Sequence, residues 1–90
     1  MLKTELDEIN FFIKDIQKQI KTIRELIKFD KEQIKTLEQA IKIITPEKTK
    51  KEFEKLIKIK KGNEEKEERV KQLEHCIEKL EKRKNNLQNN

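Results

Sequence analysis

Aromatic side chains are scarce in this chain: four Phe, no Tyr and no Trp among 90 residues. Glycine and proline occur once each, as Gly62 and Pro46. A fold of many short strands needs turn-forming residues at frequent intervals, so a sandwich or barrel is excluded. The single cysteine, Cys76, cannot close an internal disulfide, and nothing in the composition points to an oxidising compartment. No apolar run approaches the ~18 residues that span a bilayer. The opening stretch, Met1-Leu2-Lys3-Thr4-Glu5, has no apolar segment of the signal-peptide kind. The expectation is a cytoplasmic protein that does not engage a membrane.

Charge is what the chain has in quantity. Asp, Glu, Lys and Arg supply 46% of the residues and the net charge is +5. Ala, Glu, Lys, Leu and Arg together account for 47 of the 90, the composition of a coiled coil or long helix. The positive excess is local. Residues 31–61 hold ten Lys against five acids, whereas the rest of this small basic protein is balanced.

From Leu2 onward the apolar positions alternate in steps of four and three through Leu6, Ile9, Ile13, Ile16, Ile20, Ile23 and Ile27. The pattern resumes after Asp30 with Ile34, Leu37, Ile41 and Ile44. Six heptads of this kind predict a coiled-coil helix over about 2–44. Thr45-Pro46-Glu47 then reads as a helix start, with Thr as N-cap and Pro at the first helical position, and Thr49 with Glu52 offers a second capping box. The turn is placed at about 45–47 and a second helix at about 47–88. Its apolar seam runs through Leu56, Ile59, Val70, Leu73, Ile77, Leu80 and Leu87, shifted by one residue relative to an extension of the first.

Folding one helix back on the other, with facing residue numbers summing to 93, pairs Leu37 with Leu56, Ile34 with Ile59, Ile23 with Val70 and Ile20 with Leu73. The same register pairs Ile16 with Ile77, Ile13 with Leu80 and Leu6 with Leu87. It also sets Asp30 against Asn63 and puts Lys66 one layer away, beside Ile27. The fold class is therefore all-α: an antiparallel two-helix coiled-coil hairpin, one domain over residues 1–90, ~65 Å long at ~1.5 Å per residue. Gly62-Asn63 leaves two alternatives for the second helix. Either it breaks into about 47–61 and 64–88, or it continues, as the unbroken seam favours.

A second seam lies beside the first on helix 1: Phe12, Asp15, Gln19, Thr22, Leu26, Phe29, Gln33, Thr36, Ala40 and Ile43. Nine of these ten are uncharged, in a chain that is nearly half charged. A helix packed on two neighbours needs such a stripe, and a helix packed on one does not. Cover from within the chain would come from the stems of Arg69 and Arg83, reaching over Leu26 and Phe12. Phe53 and Ile57 form a smaller apolar spot on the other flank, which a short helix after a break at Gly62 would bury.

Asp30, Asn63 and Lys66 read as a polar layer that controls register. His75 and Cys76 are adjacent, so on a helix they diverge by ~100° and cannot share a metal; with no further His or Cys, no metal site is expected. Cys76 is expected half-buried and His75 solvent-facing. No phosphate loop, nucleophile constellation or cleft-forming fold accompanies the carboxylate pairs, and no enzyme activity or cofactor is expected.

These features point to a non-catalytic protein–protein interaction module, a scaffold, adaptor or inhibitor. Its partner-binding residues are Phe12, Leu26, Phe29, Ala40 and Ile43. The partner is a second copy, giving a homodimer built as a four-helix bundle, or a larger protein. The alternative is a small nucleic-acid-associated accessory protein using Lys50, Lys51, Lys55, Lys58 and Lys61 near the turn. With no Arg and only Phe53 among them, such contacts would be salt-sensitive and indifferent to base sequence.

Overall fold

The computed structural model describes residues 4–43 and 46–89, with backbone only for 46–48. Leu2, Ile44 and Thr45, assigned above to the first seam and the corner, lie outside the described residues. The described residues form two helices: α1, Glu5–Ile43, and α2, Pro46–Asn89. They lie side by side in a rod measuring 67 × 21 × 14 Å.

The start of α1 is set by a capping box that the seam alone did not reveal. The Asp7 N–H donates to Thr4 Oγ1 at 3.2 Å, and the Thr4 N–H donates to Asp7 Oδ2 at 3.5 Å. Each residue thus satisfies a backbone donor of the other, and the helix begins at Glu5. Glu5, Asp7 and Glu8 place negative charge in the first turn, where the helix dipole favours it. At the other end of the hairpin α2 begins at Pro46, the position that a residue without an N–H suits best. Thr49 and Glu52 fall inside α2, so the helix does not restart there.

The break considered at Gly62-Asn63 is not taken. Gly62 has no positive φ, and α2 runs through it. A glycine inside a helix costs about 1 kcal/mol against alanine, a cost that continuous packing of the seam on both sides outweighs.

The seam occupies heptad positions a and d of both helices. In α1 these are Leu6, Ile9, Ile13, Ile16 and onward, and in α2 they are Thr49, Glu52, Leu56, Ile59, Asn63, Lys66, Val70 and onward. Every described a or d side chain is buried or half-buried; elsewhere only Asn10, Ala40 and Gly62 share that status. Ile20, Ile27, Val70 and Leu73 form the central cluster, with Ile16, Ile23 and Ile77 packed against it. Three ion pairs between the helices fix the alignment independently: Arg24–Glu74 at 2.7 Å, Lys31–Glu67 at 3.8 Å and Glu38–Lys60 at 3.2 Å. All join position e to position e′ in the register that pairs Ile20 with Leu73.

This core is thin. No large side chain among the described residues is fully buried, because a seam between two helices leaves every residue an open side. Gly62 adds to the thinness, since a Cβ built there would meet nothing within 4 Å. Gly62→Ala should raise the unfolding free energy by about 1 kcal/mol through helix propensity alone. Urea unfolding followed by circular dichroism at one protein concentration reads this, and an unchanged or lower midpoint would contradict a continuous α2.

Candidate interaction surface

The rod has two flanks, one on each side of the seam, and their chemistry differs. On the first, formed by positions e and b, the three ion pairs above bridge the helices. Along its outer edge α1 carries Lys14, Lys21, Lys28, Lys35 and Lys42, all exposed and each seven residues from the next. This row falls outside both apolar seams and was not foreseen above. On the same flank of α2, Phe53 and Ile57 stay 47% and 63% exposed. With α2 unbroken at Gly62, no short helix folds over them.

The second flank, positions g and c, carries the uncharged stripe of α1. At its open end Arg83 grips Glu5, with Nη2 and Nε at 2.8 Å and 2.9 Å from Oε1. Beyond that clasp the side chains of Phe12, Leu26, Phe29 and Ile43 remain 51%, 47%, 57% and 85% exposed. Ala40 is half-buried against the seam and offers less surface than the other four. Cover by arginine stems is not what the structure shows: Arg83 turns to Glu5, and Leu26 and Phe12 stay about half exposed.

Four of the five polar members of the stripe, all but Gln33, are turned back on their own helix. Thr22 Oγ1 donates to the Lys18 carbonyl at 3.1 Å and Thr36 Oγ1 to the Glu32 carbonyl at 3.0 Å. Gln19 Nε2 donates to Asp15 Oδ2 at 3.0 Å. Groups already hydrogen-bonded in this way can lie against a neighbour at little desolvation cost. Gly62, at a g position of α2, leaves a notch on this flank with empty space over it. Phe29, Gln33, Thr36, Leu37, Lys55 and Ile59 line a shallow groove next to this notch. Phe11, at the back of α1, packs edge to face on Phe12 with centroids 6.0 Å apart.

The lysines near the turn do not form one patch. Lys51, Lys55 and Lys58 lie on the flank of the uncharged stripe, Lys50 lies on the opposite flank, and Lys61 sits on the back of α2. Lys55 is 3.5 Å from Glu52. His75 faces solvent, with Nδ1 3.7 Å from Glu78 Oε2. Cys76 is exposed and not half-buried, because its g position lies beside the seam, where the two helices do not close over the flank. Among the described residues no three His, Cys, Asp or Glu gather where a metal could bind, and no helix is long and apolar enough to cross a membrane.

Mid-rod, Asp30 and Asn63 are each only 8% exposed. Lys66 reaches across from the neighbouring layer and donates to Asp30 Oδ2 at 2.6 Å. Asn63 Nδ2 donates to Glu67 Oε1 at 3.4 Å, while Asn63 Oδ1 is buried without a partner. The sequence places the three residues in adjacent layers; the ion pair itself depends on the length of the lysine side chain.

Comparison with protein-family models, curated proteins and solved structures found no match, so the functional reading rests on these surfaces alone.

The polar layer makes a stability prediction. Lys66→Met should cost about 1–2 kcal/mol, since the Asp30 carboxylate would keep its burial and lose its charged donor. Replacing Asp30, Asn63 and Lys66 together with Ile, Leu and Leu should recover that loss or exceed it. Urea midpoints compare the two variants with the parent, and a neutral Lys66→Met would mean that Asp30 does not depend on the ion pair.

Proposed function

We propose that this protein is a non-catalytic protein–protein interaction module that self-associates through α1, forming a homodimer built as a four-helix bundle. The observation that carries this reading is the run of Phe12, Leu26, Phe29 and Ile43, about half exposed or more, along one flank of a helix whose other outward positions are mostly charged. The thin core supports it as well. Small helical layers gain much of their stability by burying a second face against another subunit. Stripe polar groups already bonded within α1 let that flank leave water with few orphaned donors. The expected working context is the cytoplasm, as a scaffold, adaptor or inhibitor.

Phe29→Glu places a charge in the middle of the stripe without touching the α1–α2 seam. It should convert a ~22 kDa species to an ~11 kDa one at nearly constant helicity, an effect of the size expected for an unpaired charge in an apolar contact. Light scattering after size exclusion, from micromolar to near-millimolar protein, measures the mass. A mass that does not change would remove α1 as the interface.

One observation favours a second reading, nucleic-acid association. Lys51, Lys55 and Lys58 share the stripe's flank, and the part of α1 beside them, from Gln33 to Ile43, presents no acid on that flank. Contacts of this kind follow phosphate charge and weaken steeply with salt. Changing the three lysines to Glu should abolish retention on heparin at low salt if this reading holds; equal retention of variant and parent would end it.

A further inference from the structure

We infer that the partner for the α1 stripe is a second copy lying antiparallel and face to face, in one register, with a twofold axis crossing the rod between residues 27 and 28 of α1 and near residue 65 of α2. This inference rests on the self-association proposed above and specifies its geometry.

The stripe is complementary to itself in one alignment. Reversed on itself so that facing residue numbers sum to 55, Leu26 meets Phe29 of the second copy and Phe12 meets Ile43. Gln19 then meets Thr36, and Thr22 meets Gln33. Large apolar groups face large apolar groups, and uncharged polar groups face their like. Only Asp15 opposite Ala40 departs from the pattern, and Asp15 already accepts the Gln19 amide. Sliding by one heptad either way destroys the match. One slide sets Leu26 on Thr36 and Phe29 on Gln33; the other sets Leu26 on Thr22 and Phe29 on Gln19. Both leave apolar groups facing amides and hydroxyls, which specifies register as a mismatched layer does in a coiled coil.

The α1–α2 register carries this axis across to α2 without further assumption. There it falls at Glu65, with Gly62 of one copy facing Arg69 of the other. Neither Glu65 nor Arg69 has an ion-pair partner among the described residues, and the space over Gly62 is empty. Face to face, each Arg69 lies over the other copy's glycine notch and beside its Glu65, so two arginines and two glutamates neutralise one another around the axis. Lys51 and Lys79 are the like-charged neighbours of this arrangement. They lie near its ends, where long stems reach outward to water.

The opposite orientation lacks this balance. With the second copy parallel, each α1 stripe lies on the basic flank of the other α2, and Lys55 and Lys58 are pressed onto Gln33, Thr36 and Ala40 with no acid at hand. The area also suffices. A face 21 Å wide over the Phe12–Ile43 span of ~46 Å offers on the order of 900 Å² per copy, about what a specific interface needs.

The test is a cross-linking experiment on the full chain. In a Cys76→Ser background, Gln19→Cys and Thr36→Cys chains are prepared separately, treated alone with a short bis-maleimide, and then treated again after co-refolding as an equal mixture. Both positions are exposed, so the fold tolerates the changes. In the inferred register residue 19 faces residue 36 of the other copy, whereas either residue lies ~26 Å from its own counterpart. The mixture should therefore give covalent dimer at least about tenfold above either chain alone, since the short reagent cannot bridge ~26 Å. Light scattering of the same samples supplies the control. A dimeric mass with cross-linking in the single-variant samples, or with none in the mixture, overturns the register and leaves self-association standing. A monomeric mass throughout overturns both.

Discussion

A seam made of isoleucine at every a and d position would have no reason to prefer one alignment over another seven residues away. Asp30 and Asn63 supply that reason. In the observed register they face each other, and Lys66 closes on Asp30 at 2.6 Å. A slide of one heptad would set Asp30 against Leu56 or Val70 and Asn63 against Ile23 or Leu37, stranding a carboxylate or an amide among aliphatic groups. Such misplacement costs several times what the polar layer gives up relative to an apolar one. The alignment of everything else along the rod follows from this layer: which residues face across the seam, which ion pairs can close, and which positions stand opposite Gly62.

Two consequences separate the flanks. On one, the fixed register brings Arg24, Lys31 and Lys60 within reach of Glu74, Glu67 and Glu38. Pairs exposed to this degree stabilise little, each on the order of 0–1 kcal/mol, but they keep that flank polar and closed to apolar contact. On the other, the same register brings Arg69 and Arg83, not apolar residues, beside Leu26 and Phe12. Nothing on α2 is long and apolar enough to cover them. The open flank is thus a product of alignment as much as of composition.

The periodicity of the chain was enough to place both helices, the seam and its facing pairs, because apolar spacing reports directly on which residues share a face. It also showed that Asp30 meets Asn63, since both interrupt the same pattern. What it did not show depends on side-chain reach or on small local choices. The Thr4–Asp7 box sets the first residue of α1 through two hydrogen bonds that no seam records. Lys66 was assigned to the layer of Ile27, and only a four-carbon stem carries its ammonium to Asp30. Cys76 looked half-buried from its place beside the seam, yet whether a flank closes depends on the size of what stands opposite. Continuity through Gly62 was the more balanced case, where a propensity cost of about 1 kcal/mol competes with packing on both sides. The stripe of α1 was readable as uncharged positions in a charged chain; that it lies uncovered required the structure.

Exposed apolar residues are common on protein surfaces and need no explanation when scattered. Those of α1 are not scattered. Four of them lie in one line on a helix that otherwise spends most of its surface on charge, and of the polar residues between them all but Gln33 are already hydrogen-bonded to their own helix. Solvent contact would ask nothing of Thr22, Gln19 or Thr36 beyond polarity, and lysine or glutamate would serve equally well there, as at most other outward positions of this chain. Uncharged side chains that satisfy themselves are what a flank needs if it is to leave water. The order of residues along the stripe carries the same implication, because Phe12 and Ile43 mark its ends while Leu26 and Phe29 mark its middle. An arrangement symmetric about its own centre is indifferent to exchange of the two strands that meet there, and that is the property demanded of a surface that binds its own copy.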